Sequence, residues 1–124
     1  MEAHYQRLKA MYIASKTFCR EALKLTNITL DGDTSAMGNI PKDRPVLFIA
    51  NHPFGVIDGL IMCNMALDLA DDFQGVINSL LCQDRDLVPH FLPIDFTETK
   101  DATKRNVRSE QLAGTALSNG TPLI

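Results

Sequence analysis

Residues 45–50 read Pro-Val-Leu-Phe-Ile-Ala, a continuous apolar run that opens on a proline and breaks abruptly at Asn51-His52-Pro53-Phe54-Gly55. A strand with one wet face alternates apolar and polar residues. A run without alternation is the pattern of a parallel strand buried on both faces, which needs helices on each side of its sheet. A helix follows directly: residues 58–70 read as helical, with Asp58 in the N-cap or first turn, where a carboxylate meets the positive end of the helix dipole. Leu60, Cys63, Leu67 and Ala70 form one apolar stripe on that helix, and Asn64, Asp68 and Asp71 fall on the opposite side.

The rest of the chain continues the alternation. Asn27–Asp33 reads as a short strand, Ile28-Thr29-Leu30, entering an Asp31-Gly32-Asp33 turn, and Gly38–Pro45 reads as a polar loop. Gly75–Leu81 is a strand, Asp84–Asp86 a polar turn, and Leu87–Phe96, interrupted by Pro89 and Pro93, a loop with a short strand. Lys100–Ser118 is a helix with Leu112, Ala113, Ala116 and Leu117 inward, stopped by Asn119-Gly120, and Thr121–Ile124 begins a further strand. The fold class expected is α/β, a mostly parallel sheet flanked by helices, with no internal repeat.

An amphipathic helix precedes this unit. Over Glu2–Leu25, Tyr5, Leu8, Met11, Tyr12, Phe18, Cys19, Ala22 and Leu25 recur at steps of three and four. Residues 1–30 carry a net charge of +3 and the remainder −6, giving the −3 of the whole chain. A basic amphipathic helix suits an anionic membrane surface, and a first helix packed on its own domain with a solvated basic face fits the same pattern. The organisation expected is 1–30, an N-terminal amphipathic helix and first strand, then 31–124, the α/β unit.

Composition narrows the function classes. With 45% apolar residues the chain has enough to bury to offset its ordering entropy, which excludes disorder, and 7 Gly and 6 Pro exclude collagen-like sequence. Cys19, Cys63 and Cys82 include no Cys-x-x-Cys pair, so neither a disulfide framework nor a zinc knuckle is suggested, and a reducing compartment is the default. The N-terminus lacks a signal-type pattern, and no apolar run reaches the roughly 18 residues that span a bilayer, so membrane contact is expected to be peripheral. The acidic balance beyond residue 30 disfavours nucleic acid.

The chemistry candidate is the strand-to-helix junction. Ligands of parallel α/β sheets bind outside the carboxyl ends of strands, and His52 stands just past such an end. On one continuous helix the six residues from His52 to Asp58 would turn roughly 600°, leaving the side chains about 120° apart, so a contact requires a loop between them. Pro53 and Gly55 supply it. With the chain folded back, Asp58 accepts a hydrogen bond from one ring nitrogen and leaves the other as a base. No Gly-x-Ser-x-Gly elbow is present and no cysteine has a local partner, so direct deprotonation of a substrate group is simpler than covalent catalysis. By spacing alone a structural histidine is the plainer alternative. A metal-dependent hydrolase, with His52 and Asp58 joined by His90 or His4 on zinc or manganese, is a further one, although the spacing matches no compact metal pattern.

The stretch Pro45-Val46-Leu47-Phe48-Ile49-Ala50-Asn51-His52-Pro53-Phe54-Gly55-Val56-Ile57-Asp58-Gly59 resembles the first motif of the glycerolipid acyltransferase superfamily, the PlsC-type lysophosphatidic acid acyltransferases. Most members have His-x4-Asp. The His-x5-Asp form here, Asn-His-Pro-Phe-Gly-x-x-Asp-Gly, is similar to the branch labelled hemolysin-like, which includes acyltransferases that make ornithine lipids. The resemblance implies that His52 deprotonates an acceptor hydroxyl, that this oxygen attacks the thioester of an acyl-carrier protein or acyl-CoA directly, and that Asp58 orients the histidine. No cofactor beyond that cosubstrate and no metal is implied. Phe54 and Gly55 would shape the turn, Phe54 also touching the acyl chain, with ordinary core packing as its alternative.

Lys104-Arg105-Asn106-Val107-Arg108 resembles the Arg-Asn segment of that branch, which implies substrate contacts for Asn106 and Arg108; Lys104 is read as a solvated helix position. Phe91–Phe96 occupies the place of the second motif but lacks the usual arginine after Asp95, which counts against a glycerol-3-phosphate-type acceptor. The third motif, Phe-Pro-x-Gly, is expected just after the strand that Thr121–Ile124 begins and does not occur in the sequence, so residues 31–124 are expected to be the N-terminal part of a truncated acyltransferase domain with little activity alone. The partners implied are the acyl thioester donor, a lysophospholipid or lyso-aminolipid acceptor and a peripheral membrane surface at the cytoplasmic face of the inner membrane, with no nucleic acid. The alternative is a non-catalytic membrane- or lipid-binding module using the basic first helix.

Overall fold

The computed structural model of the chain describes residues 15–82 and 88–124. The expected helical positions 2–14, among them His4, Tyr5, Leu8, Met11 and Tyr12, and the Asp84–Asp86 turn lie outside these residues. In chain order the elements are α1 (Ser15–Leu25), a 3-10 turn (Ser35–Asn39), α2 (Val56–Leu69), β1 (Gly75–Asn78), a 3-10 turn (Ser79–Leu81), a 3-10 turn (Val88–His90) leading into β2 (Phe91–Ile94), and α3 (Lys100–Ser118).

β1 and β2 are parallel, with Gly75 opposite Phe91 and Asn78 opposite Ile94. Two short segments extend the array in the same direction through single bridges, Leu123 pairing with Gln74 on one side and with Leu47 on the other. The linking bonds run from Gln74 N–H to the Pro122 carbonyl (2.9 Å), from Val76 N–H to Ile124 (2.8 Å) and from Phe48 N–H to Leu123 (2.8 Å). The order across the array is therefore 46–48, 122–124, β1, β2. Because all run one way, the residues that follow 46–48, β1 and β2 emerge along one edge.

Helices cover both faces of this array. On one face α1 and α2 enclose Cys19, Cys63, Ala66 and Phe73, joined by Phe48, Phe91 and Ile124. On the other, α3 meets Leu92 and Leu123 through Ala113 and Leu117. Sequence neighbours Phe91 and Leu92, and likewise Leu123 and Ile124, divide between the two clusters, as the two-residue alternation of a strand requires. The chain is thus a mixed α/β fold with parallel pairing, as its alternating pattern predicts. Gly75 is set by close approach: a Cβ there would lie 2.8 Å from the Phe91 ring, so only glycine lets that ring cross the strand.

Several local expectations are corrected. Residues 28–30 form no strand. Asn27 ends α1 in the left-handed region (φ 55°), its N–H donating to Lys24 (3.0 Å) and that of Ile28 to Leu23 (3.1 Å), so the backbone expected to start a strand is spent closing a helix. The 45–50 run is buried on one face only: Val46 and Phe48 are half-buried, while Leu47 is exposed and Ile49 is 84% exposed. α3 packs behind β2 and Leu123 and, among the described residues, does not reach the 46–49 edge. β1 stops at Asn78 instead of Leu81, because the Asn78 side chain accepts from Leu80 N–H (3.0 Å) and turns the chain. On α3, Ala113, Ala116 and Leu117 face inward as expected but Leu112 is exposed; Ala102 and Ser109 are buried further up the helix, Ser109 Oγ donating to the Pro93 carbonyl at 2.7 Å.

Candidate functional site

The 52–58 junction is a tight turn followed at once by α2. Gly55 caps the helix at φ 61°, ψ −121°, a conformation that a side chain strongly disfavours, and this positive φ lets the chain reverse within three residues. Asp58 then falls in the first turn of α2. Its Oδ2 accepts the Phe54 N–H at 2.7 Å, tying the turn to the helix start, where the dipole favours a carboxylate. The same oxygen lies 3.4 Å from His52 Nδ1.

The junction therefore brings the two expected catalytic residues together, as the looped six-residue spacing requires. At 3.4 Å the contact is an ion-pair distance, longer than a good N–H···O bond. Exposure is unequal within the pair: 59% for the His52 side chain and 16% for Asp58. A half-buried carboxylate facing Nδ1 favours the tautomer with a proton on that nitrogen and leaves the Nε2 lone pair as an accessible base. Phe54 is exposed, which removes core packing as its role. Gly55 shapes the turn through its backbone.

Beyond β2 on the same edge a second network forms. Asn106 Nδ2 donates to the Asp95 carbonyl (2.9 Å), and Asp95 N–H donates to Asn106 Oδ1 (2.8 Å), so the side-chain amide pairs with backbone as a neighbouring strand would. Asp95 also accepts from Thr97 Oγ1 (2.7 Å) and Thr97 N–H (2.9 Å) and pairs with Arg105. The Thr97 hydroxyl and N–H, with Arg105, hold the Asp95 carboxyl down at about 2. Asn106 thus has its amide engaged in positioning the loop after β2, whereas Arg108 and Lys104 are exposed on α3. Arg105 is the cation that the sequence reading passed over; the Asp-x-Thr turn before a helix is the signal that marks this loop.

His90 does not join His52. It directly precedes β2, and its partner Asp72 precedes β1, which puts this pair at the opposite edge of the parallel array. His90 Nδ1 lies 3.0 Å from Asp72 Oδ1, and its ring stacks on Phe73 with centroids 5.4 Å apart. Among the described residues no group of three His, Cys, Asp or Glu side chains is placed to hold a metal ion, and no helix is long and apolar enough to cross a membrane. His4 lies outside the described residues. Compared with known proteins, the chain matches no family model, no curated protein and no solved structure.

Proposed function

We propose that this chain carries the base and carboxylate of an O-acyltransferase that moves a fatty acyl group from a thioester, acyl-carrier protein or acyl-CoA, to the hydroxyl of a lysophospholipid or lyso-aminolipid. The observation that carries the reading is the looped pair itself: an exposed His52 ring with Nδ1 facing a half-buried Asp58 at the carboxyl edge of parallel strands. In the reaction, His52 Nε2 takes the acceptor proton as the oxygen attacks the thioester carbonyl carbon; the C–S bond breaks, and the departing thiolate recovers the proton from the imidazolium. Asp58 holds the ring and stabilises its positive charge. The exposed apolar side chains Ile49, Phe54, Leu80 and Phe96, from segments that end on this edge, suit an acyl chain or a lipid surface. In this reading residues 31–124 form acyltransferase α/β structure that acts peripherally at the cytoplasmic face of the inner membrane.

The decisive assay measures transfer from both thioester donors to a panel of lysolipids, using protein expressed from its own gene with and without His52→Ala. Loss of transfer with an unchanged melting midpoint is the expected result; retained turnover removes His52 from the mechanism. The same exposed apolar residues support a second reading, a lipid-binding module without catalysis. Vesicle binding that persists in a His52→Ala, Asp58→Ala double variant, with no transfer by the wild-type protein, would favour it.

A further inference from the structure

Cys19 on α1 and Cys63 on α2 are both buried, at 3% and 4% exposure, within one apolar cluster that includes Phe18, Leu60 and Phe73. They belong to the same buried cluster where the two helices pack together. Polar contacts join the two helices beside them. Arg20, next to Cys19, donates through Nε to Asn64 (3.2 Å) and through Nη2 to Asp68 (2.5 Å), and Asn64 is next to Cys63. A slide or rotation of α1 that would part the sulfurs would also break these bonds. The third thiol, Cys82, follows the 3-10 turn after β1 and lies outside this cluster.

We propose that Cys19 and Cys63 are a redox modification site, forming a reversible intramolecular disulfide that fastens α1 to α2 when the chain meets an oxidant of the peroxide class. The step balances as two thiols plus one hydrogen peroxide giving one disulfide and two waters. One sulfur attacks the peroxide, becoming a sulfenic acid and releasing the first water; the second sulfur displaces the hydroxyl, which leaves with a proton as the second water. The neighbouring Cys19 thiol and burial push the Cys63 thiol up, so oxidation waits on local opening of α1 and is slow. The product ties residue 19 to residue 63, enclosing the chain that carries His52 and Asp58.

The test uses the 124-residue chain with Cys82→Ser, leaving two thiols. After peroxide, the expected result is a monomer lighter by two hydrogens, with one cross-linked peptide joining Cys19 to Cys63 and no alkylatable thiol. Its melting midpoint should rise by ~10 °C, because the unfolded chain loses loop entropy, and fall back on dithiothreitol. Two thiols that remain alkylatable, sulfinic acids in place of the cross-link, or a linkage only between chains each overturn the proposal. Peptide mapping of the oxidised wild-type chain gives the same decision should Cys82→Ser disturb folding.

Discussion

Two histidine–aspartate pairs stand at opposite edges of the same parallel array, and their exposures are inverted. At the carboxyl edge the imidazole of His52 is open and the carboxylate of Asp58 is half-buried; at the amino edge His90 is 14% exposed while Asp72 is 57% exposed. The second pair is also the closer, 3.0 Å against 3.4 Å, and its ring is pinned on Phe73. The shorter contact thus belongs to the more buried ring. A stacked ring beside a solvated carboxylate stabilises the packing of two strand entrances, whereas an open ring backed by a shielded carboxylate presents a lone pair to an incoming group. Pair identity is the same in both; burial separates the roles.

The comparison breaks most clearly at the histidines. His52→Ala is expected to lower acyl transfer by roughly 10²–10⁴-fold, the usual contribution of a general base, with an unchanged melting curve. His90→Ala should do the reverse, leaving turnover intact and costing about 1–2 kcal/mol of stability in denaturant unfolding through the lost stack and hydrogen bond. An unfolding loss in the first variant or a turnover loss in the second would merge the two roles. Gly55→Ala tests how the turn presents His52. Its positive φ makes a Cβ costly by about 1–3 kcal/mol, and turnover should fall together with the melting midpoint as His52 shifts from Asp58.

The smallest effects sharpen the contrast. Asp72→Asn, at an exposed carboxylate whose amide still accepts a hydrogen bond, is expected to change stability by less than about 1 kcal/mol. Asp95 supplies an acid-range control at the carboxyl edge. Its folded value of about 2 lies below the ordinary 3.8, so its contribution is complete above about 4 and is lost as pH falls toward 2. Acid unfolding of Asp95→Asn followed by circular dichroism should be shallower than wild type between those values and parallel to it near neutrality; identical curves would dissociate Asp95 from the loop's stability.

Much of the helical framework was legible in the chain. Lys100–Ser118 coincides with α3, because Thr99 caps it, its side chain accepting from Ala102 N–H (3.1 Å), and Asn119-Gly120 ends it, both local signals. The sequence predicts the start of α2 to within two residues, with Asp58 in its N-cap or first turn, and Asp58 lies in the first turn. Strands fared worse. The 28–30 segment is taken up by the end of α1, and the 45–50 run lies at an edge that no helix among the described residues covers on one face, since neither the strand order nor the reach of α3 is written in a local pattern. Asn64 and Asp68 fall opposite the apolar stripe; in the fold they receive Arg20 of α1 beside the apolar cluster the two helices share. That contact joins residues far apart in sequence, and periodicity carries no information about it.

By itself the sequence determined the alternation of elements, the helix ends, and the turn that carries His52 and Asp58 to one side of a junction. Capping, dihedral preference and the looped six-residue spacing act over a few residues, so the chain specifies them without its neighbours. Tertiary structure decided which residues sit at an edge, which thiols meet, which arginine pairs, and which of two histidines is open. Burial and partnership depend on elements brought together from distant parts of the chain, so two His–Asp pairs alike in residue type became different sites only once Phe73 covered one ring and the carboxyl edge left the other in solvent.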